Sequence, residues 1–207
     1  MSSVGVLFVG AALLVNGLLL LGHVDPRSAG VFNLFVGGLQ TAIPAYLLAT
    51  AQTPDEILGA AGIFLFGFTY LYVGIGNLAG VPGTGLGWYS AWVALLAVGF
   101  AVVNVVRFDD PSTALLWAQW SVLWTMFFVV LGLGRERWTE VTGWLTLVLS
   151  FTTCTVPGFV MLLGLWGDVS PLVVLGSIVA TAALLVVPLR RIPRPALVGE
   201  PVAVPAA

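Results

Sequence analysis

Long apolar stretches separated by short polar segments dominate the pattern of this chain. Each stretch holds about 20 residues, the length a helix needs to cross the hydrocarbon core of a bilayer, where only closed backbone hydrogen bonding is stable. The pattern predicts an all-α protein, a polytopic transmembrane helix bundle of about seven spans that fills residues 1–189. The predicted spans are Val4–Gly22, Gly30–Ala51, Leu58–Leu78, Trp88–Val106, Ala114–Gly132, Val141–Trp166 and Pro171–Leu189.

The polar segments between the spans are short and carry turn residues, as in HVDPRSA, AGVPGTGLG and RFDDPST. None has room for a separate soluble domain, so we expect one transmembrane domain followed by a proline-rich cytoplasmic tail at residues 190–207. Basic residues near span ends stay on the cytoplasmic side, which gives the orientation. With the N-terminus outside and the C-terminus inside, Arg107 alone among the arginines faces outward. The cytoplasmic arginines are then Arg27, Arg135, Arg137, Arg190, Arg191 and Arg194.

The composition excludes two broad classes of protein. With 59% hydrophobic and 8% charged residues, the chain has too little polar surface for a water-soluble fold. It has no lysine, and its net charge of −2 offers nothing for a nucleic-acid backbone to bind. We therefore expect membrane lipids around the chain and no nucleic-acid partner.

No Asp, Glu, Lys, Arg or His lies near the middle of a predicted span. Ion pathways and proton relays usually use such residues, so a neutral permeant is the simpler interpretation. The same pattern disfavours an enzyme, because His23 has no second histidine beside it, and the adjacent carboxylates of Asp109 and Asp110 more often cap a turn than form a catalytic pair. We predict no enzymatic activity, no cofactor and no metal site.

The polar residues inside the spans are neutral hydrogen-bonding groups. Most of them should bridge helices, and a few could line a pore. They are Asn16, Asn33, Gln40, Thr69, Tyr70, Tyr72, Gln119, Thr146, Ser150, Thr152, Thr153 and Thr155.

Aromatic residues in two spans have the spacing of a helix face. Trp117, Trp120 and Trp124 stand at i, i+3 and i+7, and Phe66 and Tyr70 are four residues apart. The tryptophans could be a packing cluster or a headgroup-level belt, but a stripe over two turns covers roughly 10 Å along the axis, so at least one ring lies well inside the bilayer. Aromatic walls with scattered hydroxyl and amide groups suit a planar, uncharged, hydrogen-bonding solute such as urea or acetamide.

Several motifs in order along the chain resemble the AmiS/UreI family of bacterial urea and short-chain amide channels. They are VGAALLVNG (9–17), VDPRSAGVFNLFVGGL (24–39), LFGFTYLY (65–72) with WYS (88–90), and the WxxWxxxW of the fifth span. The resemblance implies a six-helix channel core (residues 1–166) in the bacterial inner membrane, six protomers in a homohexameric ring, and a pore in each protomer. Carried over by position, the pore lining would be Val9, Leu13, Asn16, Phe66, Tyr70, Trp117, Trp120, Leu123 and Trp124.

Three departures from the family pattern refine this expectation. The outer segments QTPDEI and RFDDPST are short and lack the histidines of the acid-activated members, and Leu149 stands where those members carry a glutamate. The segment 171–189 is an extra helix beyond the six. We predict a passive channel for small neutral amides and urea that needs no acid, with uptake drawn forward by a cytoplasmic amidase or urease.

Two alternatives of other kinds remain open from sequence. In an ion-coupled small-solute transporter, Pro44, Pro157 and Gly158 could break helices near mid-membrane and expose backbone carbonyls, although ordinary kinking explains them as well. A non-transporting membrane assembly protein would need a sizeable cytoplasmic surface, which these short segments do not offer.

Overall fold

The structure, a computed structural model, describes residues 2–191, and within them seven helical segments are long and apolar enough to cross a membrane. The helices are α1 (Ser2–Leu20), α2 (Pro26–Thr50), α3 (Pro54–Ala79), α4 (Thr84–Val106), α5 (Pro111–Phe127), α6 (Thr139–Leu149), α7 (Val156–Leu162) and α8 (Pro171–Arg190). The π-helical segment Phe128–Gly132 continues α5, and a second one, Ser150–Thr155, joins α6 and α7 into one span. The all-helical fold and the number of spans are confirmed. The predicted tail lies, from residue 192 onward, outside the described residues.

Several helices begin at a proline that follows a capping residue. At α2, for example, the carboxylate of Asp25 accepts a hydrogen bond from the backbone N–H of Ser28 at 2.9 Å. A helix start that is predicted from the rise in hydrophobicity is too late. The capping residue and the first-turn proline belong to the polar segment, and the helix already begins there. The predicted starts Gly30, Leu58 and Ala114 are a few residues late for this reason, the observed starts being Pro26, Pro54 and Pro111.

The sixth span also ends earlier than predicted. Its helical structure stops at Leu162, whereas the prediction continued to Trp166. Gly164 takes a φ of 74°, a left-handed conformation that favours glycine and commonly closes a helix. The apolar residues that follow therefore belong to the connection to α8, which runs across the end of the bundle.

Contacts between the connecting segments show which of them share an end of the bundle. The side chains of Arg107, at the end of α4, and Asp55, in the first turn of α3, form an ion pair. At the same end, the indole Nε1 of Trp166 donates to the hydroxyl of Thr113 at 2.9 Å. At the other end, Arg191 lies 3.3 Å from the carboxylate of Glu140. Successive spans therefore run in opposite directions, as the predicted topology requires; which end faces the cytoplasm remains a prediction.

Glycines allow neighbouring helices to approach closely. A Cβ added at Gly67 of α3 would lie 2.7 Å from the backbone oxygen of Gln40 on α2, and one added at Gly158 of α7 would lie 2.8 Å from the backbone nitrogen of Leu7 on α1. Both distances are shorter than a carbon atom tolerates next to backbone. Small residues at helix contacts are typical of membrane bundles, where van der Waals packing holds the helices together.

The prolines that could have broken helices do not interrupt their spans. Helix α2 continues through Pro44 to Thr50, so Pro44 removes one backbone donor without unwinding the helix. Pro157 follows the π-helical segment Ser150–Thr155 and, like Pro44, removes one backbone donor without ending the span. The sixth span thus changes its helical pitch at mid-course and remains helical throughout.

Candidate functional site

Two cavities lie inside the bundle and are separated by the side chains of Phe66 and Trp120, which line both. The wide cavity has a volume of about 440 Å³ and opens toward the end where α1 begins, with Ser3, Thr113 and Trp166 in its wall. The narrow cavity has a volume of about 30 Å³ and extends in the other direction. By volume, the narrow cavity has room for one or two water molecules.

The structure brings all nine residues of the predicted pore lining to these two cavities. Val9 and Trp117 line the wide cavity, and Phe66 and Trp120 lie between the two. The narrow cavity is lined by Leu13, Asn16, Tyr70, Leu123 and Trp124. All nine are buried, so the tryptophan stripe faces the inside of the bundle and forms no belt at the headgroup level.

Phe66 is the centre of an aromatic cluster that closes the space between the cavities. Its ring centroid lies 5.8 Å from that of Trp117, 4.9 Å from that of Trp120 and 4.8 Å from that of Trp124. The rings of Phe66 and Trp120 meet edge to face, an arrangement that aromatic pairs prefer. Phe100 stacks on Trp117 at 4.6 Å and supports the cluster from α4. These contacts define an aromatic constriction, formed by Phe66, Trp117, Trp120 and Trp124.

Threonine hydroxyls hold two of the indoles by their N–H groups. Trp120 Nε1 donates to the Thr153 hydroxyl at 2.9 Å, and that hydroxyl donates to the backbone oxygen of Leu149 at 2.6 Å. Trp124 Nε1 donates to the Thr69 hydroxyl at 3.3 Å. Because their donors are engaged, these two rings offer mainly carbon surface to the cavities, and their orientation is fixed.

A reciprocal pair of amides anchors the polar part of the narrow cavity. Asn16 Nδ2 donates to Asn33 Oδ1 at 2.9 Å, and Asn33 Nδ2 donates to Asn16 Oδ1 at 2.7 Å. Asn33 also donates to the backbone oxygen of Ala29. Asn16 therefore presents a fixed carboxamide to the cavity, and the sequence pattern had not paired it with Asn33.

The structure adds four polar residues to the nine that were predicted to line the pore. Thr69 and Ser90 line the narrow cavity, and Gln40 and Asn104 line the wide one. The sequence marked Thr69 and Gln40 as polar residues within spans, but it gave no sign of which helix face they occupy. Leu149 lines neither cavity; it is buried beneath α8.

The lining of both cavities is uncharged. Among the residues that the structure describes, no Asp, Glu, Lys, Arg or His contributes to either wall. Residues 2–191 also contain no group of three histidine, cysteine or carboxylate side chains close enough to hold a metal ion. The walls are suited to a neutral guest with a flat face and a few hydrogen-bonding groups.

The amino-acid sequence was compared with family profiles and with known proteins. The profile described as AmiS/UreI family transporter matches residues 1–165. A Rhodococcus erythropolis protein that carries the name transporter protein AmiS2 is 46% identical over 202 residues, which cover 94% of this chain and 98% of that protein. A Mycolicibacterium smegmatis protein named as an amidate substrates transporter is 39% identical, covering 100% of this chain and 99% of the relative.

A solved structure agrees with the sequence relatives. The Helicobacter pylori urea channel, determined by cryo-electron microscopy in its closed state, superposes with a TM-score of 0.73 at 30% sequence identity. The superposition covers 79% of this chain and 98% of that one. From the profile match, the relatives and the shared fold, the chain belongs to the AmiS/UreI family of transporters.

Proposed function

We propose that this protein is a passive channel for small neutral amides and urea, conducting through the two cavities and the aromatic constriction between them. The observation that carries the proposal is an uncharged pathway that narrows between the rings of Phe66 and Trp120. The names of its relatives, an amidate substrates transporter and a urea channel, support the same solute class.

The chemistry of the constriction favours flat, neutral solutes. A planar amide slides along the faces of aromatic rings and exchanges a few hydrogen bonds to water for bonds to the carboxamides and hydroxyls that stand on both sides of the rings. An ion would lose its water shell at the same place with no charged partner to replace it, which costs far more free energy. Selectivity then depends on the width of the constriction and on desolvation.

In this mechanism the solute enters the wide cavity past Val9 and leaves through the narrow one past Leu13 and Asn16. It moves downhill and chemically unchanged, so the protein is a channel and not an enzyme. A cytoplasmic amidase or urease that consumes the solute would keep the gradient steep. We also propose, from the family resemblance, that six protomers form a ring in the bacterial inner membrane, each with its own pathway.

Stopped-flow light scattering on proteoliposomes tests this function directly. Urea, acetamide and glycerol entry is compared between protein-containing and empty liposomes with no ion gradient present. We expect fast, saturation-resistant entry of urea or acetamide and little gain for glycerol. Entry that appears only when a sodium or proton gradient is imposed would replace the channel with a coupled transporter, and no excess entry under either condition, with intact protein, would favour an assembly role.

A further inference from the structure

The wide cavity is far larger than the passage to which it leads. Its volume is about 440 Å³, whereas that of the narrow cavity beyond Phe66 and Trp120 is about 30 Å³. An apolar cavity of about 150 Å³ is enough to bind benzene. A molecule built on one aromatic ring therefore fits the wide cavity and is too large for the narrow one.

Aromatic side chains form a continuous part of the wall of the wide cavity. They are Phe66, Phe100, Phe108, Trp117, Trp120 and Trp166. Phe100 stacks on Trp117 with a ring-centroid distance of 4.6 Å, and Trp120 meets Trp117 edge to face at 5.2 Å. Aromatic pairs prefer stacked and edge-to-face arrangements, so this wall favours a guest that carries a ring of its own.

The indole N–H of Trp117 is a donor in this wall that the protein does not engage. The N–H groups of Trp120 and Trp166 each donate to a threonine hydroxyl. The enclosed side-chain atoms that lack a partner belong to Gln40, Asn77 and Gln119. Trp117 Nε1 is not among them and donates to no described residue, so its N–H keeps surface that is open to the wide cavity.

The side-chain oxygen of Asn104 is an open acceptor in the same wall. Asn104 lies one turn after Phe100 in α4, and its Nδ2 donates to the backbone oxygen of Phe100 at 2.8 Å. Its Oδ1 accepts from no described residue and is not one of the enclosed atoms, so it too has surface in the wide cavity. Because Phe100 stacks on Trp117, the Asn104 oxygen and the Trp117 N–H belong to one region of the wall. Together they offer a donor and an acceptor to a carboxamide group.

We propose that the wide cavity binds flat, neutral aromatic carboxamides, which stop at the aromatic constriction and block the pathway. The ring of the ligand packs against the aromatic wall, its –NH₂ group donates to Asn104 Oδ1, and its carbonyl oxygen accepts from Trp117 Nε1. This adds to the conducted solutes a class of ligand that the protein holds and does not conduct. The block rests on the proposed function, since it needs a pathway to close, whereas the binding does not.

Isothermal titration calorimetry of the detergent-solubilised protein with benzamide tests the site without any transport. Empty micelles correct for partition of benzamide into the detergent. Benzoate, which has the same ring and a negative charge, should bind at least about tenfold more weakly, because the described lining carries no charge. Trp117→Phe keeps a ring and removes the N–H, and Asn104→Leu removes the acceptor, so each should raise the Kd of benzamide about three- to tenfold, the effect of losing one hydrogen bond. The matched control Trp88→Phe changes a tryptophan outside both cavities and should leave the Kd unchanged.

Stopped-flow light scattering then tests the block. Acetamide entry into proteoliposomes equilibrated with benzamide should fall as the benzamide concentration rises, with half-inhibition near the calorimetric Kd. Trp117→Phe should raise that half-inhibiting concentration by the same factor as the Kd. Benzamide entry itself should not exceed its entry into empty liposomes, and excess entry would overturn the block by showing that benzamide is conducted.

The outcomes separate the binding site from the proposed function. No benzamide binding by wild type, or a Kd that is unchanged in both Trp117→Phe and Asn104→Leu, would overturn the site. Binding without inhibition in a protein that conducts acetamide would overturn the block. Binding of benzamide by a protein that conducts no acetamide would leave the site in place and overturn the proposed function.

Discussion

Single residues at the constriction are held from several sides, and Trp120 is the clearest case. Its ring touches Phe66 and Trp117, and its N–H is bound by Thr153. The spacing of the tryptophans was enough to predict that they share a helix face. It did not predict Thr153 as their partner, because the two residues are 33 positions apart and their contact depends on how two spans are rotated against each other.

Trp120→Ala should widen the constriction. The variant removes a ring from the boundary between the cavities, so we expect glycerol entry to rise several-fold and the preference for acetamide over glycerol to shrink. Loss of a buried tryptophan also destabilises a protein by about 3–5 kcal/mol, so thermal unfolding in detergent is measured alongside flux.

Trp88→Ala is the control for this change. Trp88 lies on α4 with 59% of its surface exposed and lines neither cavity. Its removal should leave the solute preference as in wild type. A Trp120→Ala variant that folds and keeps the wild-type preference across acetamide, urea and glycerol would remove Trp120 from the pathway.

At the scale of whole helices, the pattern of apolar residues predicted the number of membrane spans but not where each helix begins or how closely the helices pack. Caps such as Asp25 belong to the polar segments, so hydrophobicity alone misses them. The π-helical segment at Ser150–Thr155 has no sequence signal of its own beyond Pro157 after it. Yet this segment carries Thr153, and π-helical turns are frequently found at functional sites.

The extra helix α8 was predicted almost residue for residue, and the structure now shows where it packs. It covers α5 and α6 on the side away from the cavities, over Gln119, Leu145 and Leu149. Helix α8 lies outside the region matched by the family profile, which ends at residue 165. Helix α8 therefore packs against the outer side of the span that carries the tryptophans.

Gly67→Ala tests the close contact between α2 and α3. The added methyl group would lie 2.7 Å from the backbone oxygen of Gln40, and backbone atoms cannot turn aside as a side chain does. We expect the free energy of unfolding to fall by about 1–3 kcal/mol, measured as a lower unfolding midpoint in detergent.

The matched control is Gly38→Ala on α2, where no atom lies within 4 Å of the added methyl group. That variant should unfold as wild type does. Equal midpoints for the two variants would show that α2 and α3 do not rely on the absence of a side chain at position 67.

For the molecule as a whole, the charged residues within the described range 2–191 lie at the ends of the bundle. His23, the one histidine of the chain, follows α1 and therefore lies at the end away from the wide cavity. At the end where the wide cavity opens, Asp55 pairs with Arg107 and Asp110 caps α5. The sequence predicted this segregation, because the charged residues fall in the polar segments between the apolar stretches. It could not predict the cavities, which depend on the packing of residues far apart along the chain.

The placement of the histidine predicts flux that does not depend on acid. Imidazole is the side chain that titrates in mildly acidic conditions, and none lies near the entrance of the wide cavity. We expect urea and acetamide entry at pH 5 to equal that at pH 7 when both faces of the membrane have the same pH. Empty liposomes at each pH correct for leakage, and a tenfold rise on acidification would show an acid gate.

The engaged indole donors have a consequence for the energy balance of the cell. Protons move through water by hopping along an unbroken chain of hydrogen bonds. At the constriction, the N–H groups of Trp120 and Trp124 are already bound to Thr153 and Thr69, and the rings turn carbon toward the passage. Under the proposed function, a file of water would be interrupted there, so an amide that passes as a whole molecule would cross where a proton has no relay, and the membrane would keep its proton gradient.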